Sequence, residues 1–197
     1  NHSLDRALAL VDAAAAAGAH ALKLQTYTAD TITMKGVHTI NDKNSLWNGQ
    51  ELHDLYKMAY TPWEWHKPLF EYAEKIGITI FSSPFDDTAV DFLEKLNAPA
   101  YKIASPEIID LGLIRKVAST GKPIIMSTGA ATFEEIDEAV QTARSAGATQ
   151  LTLLHCTAAY PAPIEEANLS TIQALKDRFN TVVGLSDHTP GTIVSAL

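Results

Sequence analysis

Cysteine is almost absent, since Cys156 is the only one in 197 residues. That excludes a disulfide framework and a cysteine-built metal site. Long hydrophobic runs are missing too. The alanine-rich stretch Ala13 to Ala17 is too short to cross a bilayer and falls within an amphipathic helical pattern, and no segment reads as a signal peptide. Positive charge is scarce: 15 Lys and Arg against 23 Asp and Glu leave a net charge of −8. Nucleic acid is therefore not an expected partner, and an anionic ligand must be held by a local cationic pocket against the overall field. Together these absences predict a soluble cytoplasmic protein with neither a membrane nor a nucleic acid as partner.

What the chain does have is 46% hydrophobic and 19% charged residues, the make-up of one globular domain with a sizeable core. Short apolar runs recur, and each ends in polar groups: Ala21-Leu-Lys-Leu-Gln-Thr26, Ile78-Thr-Ile-Phe-Ser-Ser-Pro84, Pro99-Ala-Tyr-Lys-Ile-Ala-Ser-Pro-Glu107, Pro123-Ile-Ile-Met-Ser-Thr-Gly129, Leu151-Thr-Leu-Leu-His-Cys-Thr157 and Thr181-Val-Val-Gly-Leu-Ser-Asp-His188. Most are separated by a helix-length segment. Alternating strands and helices with polar strand ends predict a parallel α/β fold of the (β/α)8 TIM-barrel type. A complete barrel of this kind takes about 250 residues. With about six strands, and helix signals at both ends, residues 1–197 are expected to be a barrel fragment that lacks the first strand and the last strand region.

Local signals place the helices. Leu4, Ala7, Leu8 and Val11 follow the i, i+3, i+4, i+7 pattern of a helix capped near Ser3 and closed by Gly18. Residues 26–50 show no sustained period and are expected to form a long loop, of the kind that often serves as a lid or substrate wall. Thr61-Pro-Trp-Glu64 predicts an N-cap, an N1 proline and a capping-box glutamate for a helix to Ile76. Asp110 predicts another cap, and Thr132-Phe-Glu-Glu135 a further capping box.

The strand ends carry the candidate chemistry. Lys23 and Lys102 sit in otherwise apolar strands, where a lysine is costly to bury without a negative partner. Each either pairs with a carboxylate or snorkels to the rim, clamps an anionic ligand, or forms a Schiff base. Ser83, Ser105, Ser127 and Ser186 add hydroxyls suited to phosphate or carboxylate oxygens. His188 is either structural or a metal ligand or acid/base group, and Glu107 is either a charge partner for Lys102 or a functional carboxylate. His20, His38, His53 and His66 lie on loops or helix faces and read as structural. His155 is expected to face the helix layer, and Trp63 and Trp65 to pack, whereas Trp47 falls in the long loop.

Lys23-Leu-Gln-Thr26, Phe81-Ser-Ser-Pro-Phe85, Tyr101-Lys-Ile-Ala-Ser105, Ser127-Thr-Gly129, His155-Cys-Thr157, Tyr160-Pro-Ala-Pro163 and Gly184-Leu-Ser-Asp-His-Thr189, in this order, resemble the sialic acid synthase family along essentially the whole chain. Residues 25–33, 46–50 and 59–66 are most similar to its pseudaminic acid branch, with N-acetylneuraminate and legionaminic acid synthases as rivals. The resemblance implies a metal-dependent condensation of phosphoenolpyruvate with 2,4-diacetamido-2,4,6-trideoxy-L-altrose, yielding a nine-carbon 2-keto sugar acid and phosphate by C–O cleavage. It assigns Lys23, Gln25, Ser83, Lys102, Ser105, Ser127 and Ser186 to phosphoenolpyruvate, with Lys23, Lys102 and His188 catalytic. Tyr160, Asp187 and Glu107 are assigned to the sugar, and His188 to a divalent Mn2+ or Mg2+ ion. A homodimer and a small C-terminal antifreeze-like domain beyond this chain are also implied. Ala158 departs from the polar Asn that sialic acid synthases can carry there, which fits a changed sugar pocket. A non-catalytic phospho-ligand binding module is the competing reading.

Overall fold

The computed structural model describes residues 3–43 and 45–197; Asn44, within the segment expected to be a loop, lies outside them. The chain forms two compact units, Asn1–Pro99 and Ala100–Leu197.

In the first unit, α1 (Leu4–Ala16) leads to β1 (Ala21–Thr26), a short α2 (Ala29–Ile32), α3 (Leu52–Ala59), α4 (Trp63–Ile76), β2 (Thr79–Pro84) and α5 (Asp87–Lys95). Ser3 caps α1 as expected, accepting from the Arg6 N–H. β1 and β2 are parallel, with Leu22 opposite Ile80 and Gln25 opposite Ser83. One face of this pair is apolar. Leu22, Leu24 and Ile80 pack with Val11, Leu69, Ala73 and Ile78 against α1 and α4, so by the period of two the other face carries Lys23, Gln25, Phe81 and Ser83.

Two local expectations need correction here. The N-cap of α4 is Pro62 rather than Thr61, and it makes no side-chain capping bond. The Pro62 backbone is extended, with φ −52° and ψ 131°, so it stands before the first helical turn rather than in it, and its carbonyl accepts from the Trp65 N–H at 3.0 Å. The long segment after β1 is not wholly irregular either: it contains α2, and an antiparallel bridge joins Thr39 to Glu51.

The second unit runs β3 (Tyr101–Ile103), a 3-10 turn (Pro106–Ile109), α6 (Leu111–Ala118), β4 (Ile124–Ser127), α7 (Phe133–Ser145), β5 (Leu151–Cys156), a second 3-10 turn (Ile164–Glu166), α8 (Ser170–Phe179), β6 (Val182–Ser186) and α9 (Ile193–Ala196). Neighbouring strands pair in parallel in chain order: Lys102 lies opposite Ile125, Ile125 opposite Thr152, Ser127 opposite Leu154, and Cys156 opposite Ser186. Tyr101, Ile103, Ile124, Met126, Leu151 and Leu153 share one buried face. Ile114, Val117, Ile136, Val140 and Leu175 of the helices are buried with them.

The opposite face presents Lys102, Ser127, Cys156 and Ser186 toward the C-terminal strand ends. His155 falls on the helix side, as expected, and its Nε2 lies 2.7 Å from the Ala167 carbonyl. The Thr132 capping box forms with both its bonds, and Asp110 caps α6 through the Leu113 N–H. Among the described residues no helix is long and apolar enough to cross a membrane.

Candidate functional site

In the second unit the strand ends gather most of the groups expected from the sequence. Lys102 is buried, with 8% exposure. Its ammonium acts on Glu107, which follows in the 3-10 turn. Burial raises the Glu107 pKa above 4.5 as the dominant effect, while a hydrogen bond from its own backbone N–H and, after it, the Lys102 charge pull it back down. Glu107 Oε2 and Ser127 Oγ are buried with no hydrogen-bond partner among the described residues.

Ser105 differs from Ser127, because its Oγ accepts the Gly129 N–H at 3.2 Å. Gly129 is held there by a close backbone approach: an added Cβ would collide with the Cys156 carbonyl oxygen. Thr128 ties the same corner to β5, its N–H and Oγ1 both donating to the Leu154 carbonyl at 3.0 and 3.1 Å. A cavity of about 560 Å3 opens at this end of β5, lined by Gly129, Cys156, Thr157, Ala158, Glu166 and Asn168 among others.

At the end of β6, His188 is half-buried. Its Nδ1 lies 3.1 Å from the Thr157 carbonyl and its Nε2 lies 3.5 Å from Ser186 Oγ. A carbonyl only accepts, so Nδ1 carries a proton, and in the neutral ring Nε2 is the nitrogen with the lone pair. That is the state of a metal-ligating imidazole oriented by a backbone carbonyl. Tyr160 is exposed, and its ring lies 4.3 Å from the His188 ring. The Ala162 N–H donates to the His188 carbonyl at 2.9 Å, pinning the loop that carries Tyr160. Asp187 is already engaged: Oδ1 accepts from the Thr189 N–H and Oγ1, and Oδ2 accepts from Ser195. The Ser195 bond foremost, then those from Thr189, hold its pKa below 3.8. Among the described residues no three His, Cys, Asp or Glu side chains cluster as a ready metal centre.

In the first unit Lys23 and Gln25 are exposed, whereas Ser83 is buried and its Oγ has no hydrogen-bond partner among the described residues. Lys23 is nonetheless surrounded by enough protein for desolvation to lower its pKa from 10.5. On the helix side of the same strands, His66, Thr26 and Ser82 form a buried polar network. Sequence reasoning left His66 as structural and assigned Ser83 but not Ser82. The available signal was a hydroxyl beside each assigned residue, Thr26 after Gln25 and Ser82 before Ser83. Gly129 was legible as part of a strand-end motif, though its contact with Cys156 was not.

Parallel strands alternate with helices in both units, and hydroxyls stand at the C-terminal strand ends, joined in the second unit by a buried lysine and an imidazole: the fold is of the α/β class. The chain belongs to the NeuB family, which it matches over residues 10–197. It is 45% identical to pseudaminic acid synthase of Helicobacter pylori over its whole length, covering 59% of that protein. It is 41% identical to N,N'-diacetyllegionaminic acid synthase of Campylobacter jejuni, over 99% of this chain and 60% of that one. The chain thus spans about three-fifths of the length of these relatives. Among solved structures, the N-acetylneuraminic acid synthetase of Leptospira borgpetersenii, in complex with citrate, superposes with a TM-score of 0.86 at 31% identity, covering 97% of this chain and 62% of that one.

Proposed function

We propose that this chain carries the phosphoenolpyruvate-binding part of a synthase that joins phosphoenolpyruvate to open-chain 2,4-diacetamido-2,4,6-trideoxy-L-altrose, giving pseudaminic acid and phosphate. The observation that carries the reading is Ser127, a buried, unbonded hydroxyl on the same sheet face as the buried Lys102. A buried hydroxyl without a partner costs about 1–3 kcal/mol, and an anion accepting from it and from the ammonium offsets that cost. Ser83 repeats the feature in the first unit. The 45% identity to a pseudaminic acid synthase supports the choice of sugar.

On this reading Lys102, Ser105, Ser127 and Ser186 hold phosphoenolpyruvate, and Lys23, Gln25 and Ser83 carry the same assignment. The lysines act as charge clamps with no Schiff base. C3 of phosphoenolpyruvate attacks the sugar aldehyde carbon, water adds at C2, and the tetrahedral intermediate loses phosphate by cleavage of its C–O bond. Tyr160 and Glu107 belong to the sugar side. Asp187, bonded to Thr189 and Ser195, supports them by fixing the turn after His188. His188 Nε2 fits a metal, as one ligand of a larger set. When bound, Mn2+ or Mg2+ supplies Lewis-acid polarisation of the aldehyde. The strands are read as part of a (β/α)8 barrel in a cytoplasmic, homodimeric enzyme.

The test is to supply the complete protein with phosphoenolpyruvate labelled with 18O at the bridging oxygen, together with the altrose derivative, and to follow product and phosphate by mass spectrometry. Sugar-dependent product with the label in phosphate is expected. Turnover only with the legionaminic acid precursor would select the second reading, which the 41% identical relative favours. Binding of phosphoenolpyruvate with no product from either sugar would leave a binding module and overturn the synthase.

A further inference from the structure

Most of the layer between helices and strands in the first unit is apolar, built from Leu22, Leu24 and Ile80 with Val11, Leu69 and Ala73. At the C-terminal ends of β1 and β2 its character changes. Thr26, Ser82 and His66, all at 0% exposure, replace the hydrocarbon. Thr26 Oγ1 lies 2.8 Å from His66 Nε2 and 2.7 Å from Ser82 Oγ, and His66 Nδ1 lies 3.3 Å from the Pro62 carbonyl.

The direction of this chain follows from its last member. The Pro62 carbonyl only accepts, so Nδ1 holds the proton and Nε2 accepts from Thr26, which in turn accepts from Ser82. Burial lowers the His66 pKa from 6.5 as the largest effect, in keeping with a neutral ring. The ring is further seated edge-on against Phe92 at 5.3 Å, and Trp63 Nε1–H donates to the Tyr27 carbonyl at 3.1 Å. The start of α4 therefore grips the last residue of β1, Thr26, and the residue after the strand, Tyr27.

Three buried polar groups at a helix–sheet contact are no more stable than well-packed hydrocarbon, and what they add is a fixed orientation. Thr26 and Ser82 are the chain neighbours of Gln25 and Ser83, which lie opposite each other in the sheet. The Thr26–Ser82 bond therefore crosses the strand pair diagonally at the place where Gln25 and Ser83 project from its other face.

We infer that His66 is a positioning residue: through Thr26 and Ser82 it locks the ends of β1 and β2 so that Gln25 and Ser83 meet the anionic ligand in one orientation. The inference rests on the phosphoenolpyruvate reading above.

The experiment uses the complete protein and phosphoenolpyruvate titrated by calorimetry, with steady-state kinetics and a thermal melt on each variant. H66L removes the acceptor for Thr26, and H66Q restores one. A triple variant, H66L with T26V and S82A, removes the whole relay without leaving an orphaned hydroxyl. The expected result is a phosphoenolpyruvate Kd raised about tenfold or more in H66L and in the triple variant. The KM for the sugar should hold, H66Q should recover most of the affinity, and the triple variant should melt no lower than H66L. A folded triple variant that binds phosphoenolpyruvate as the wild type does would overturn the positioning role and leave His66 as packing. Gln25→Ala and Ser83→Ala are the controls on the underlying reading. Unchanged binding in both would overturn the ligand assignment itself, whatever the His66 variants do.

Discussion

Substituting Gly129 by Ala tests the strand-end architecture through a single methyl group. The new Cβ would collide with the Cys156 carbonyl oxygen and lie 3.0 Å from that residue's carbonyl carbon and Cβ. Two of these atoms are backbone, so no rotamer change relieves the overlap. β4 and β5 must instead separate at their C-terminal ends by about 0.5–1 Å to reach ordinary carbon contact distances. Overpacking of this kind costs about 1–3 kcal/mol. The same movement lengthens the Gly129 N–H bond to Ser105 Oγ, now 3.2 Å, and strains the two Thr128 bonds to the Leu154 carbonyl. Losing one such bond adds about 1 kcal/mol. The expected sum is about 2–4 kcal/mol, a fall in melting temperature of roughly 5–15 °C.

Because Ser105 is a proposed ligand for phosphoenolpyruvate, the affinity should fall along with the melting temperature. Differential scanning calorimetry and ligand titration on the same sample read both effects. A melting temperature within a degree of wild type together with unchanged binding would refute the close approach of Gly129 to Cys156.

Lys102→Met should weaken phosphoenolpyruvate binding by about ten- to a hundredfold, since a charge-assisted hydrogen bond is worth about 1.5–3 kcal/mol; unchanged calorimetric affinity would remove Lys102 from the site. The complete protein with His188→Ala should retain its fold and lose affinity for Mn2+ measured by equilibrium dialysis, and undiminished metal binding would exclude this imidazole as a ligand. Glu107 has its folded pKa raised, chiefly by desolvation, so the folded state binds the proton more tightly than the unfolded one. Its destabilising contribution is absent below the ordinary carboxyl value, grows as pH rises toward the folded pKa and is complete above it. Glu107→Gln should therefore raise the melting temperature at pH 7 and lose that advantage by about pH 4; a pH-independent difference would contradict the assignment. Thr132→Ala removes the hydroxyl that caps α7 and should cost about 1 kcal/mol in urea unfolding; no change in the midpoint would show that the cap contributes nothing.

The alternation of strands and helices was legible in the residues because it rests on local periods and caps. Short apolar runs ending in polar groups located β1 through β6, and the capping box at Thr132 and the cap at Asp110 are satisfied within three residues of themselves. The ordered strand-end motifs likewise identified the family, since they require only linear order. Thr61 shows where local reasoning gave way: the Pro62 carbonyl faces His66 Nδ1 as well as the Trp65 N–H, and the helix starts one residue later than a capping box would have it.

Only the tertiary structure separated Lys102, which is buried, from Lys23, which is exposed, although both stand in the same kind of strand. It also separated Ser105, bonded to Gly129, from Ser127 and Ser83, whose buried hydroxyls have no partner among the described residues. The tie from His66 to Thr26 spans 40 residues, and that from Thr26 to Ser82 spans 56. Burial and strand register are properties of neighbours distant in sequence. A single chain read in order therefore determines which groups arrive at the strand ends, while the packing of one strand or helix on the next decides which of them are buried and which find a hydrogen-bond partner.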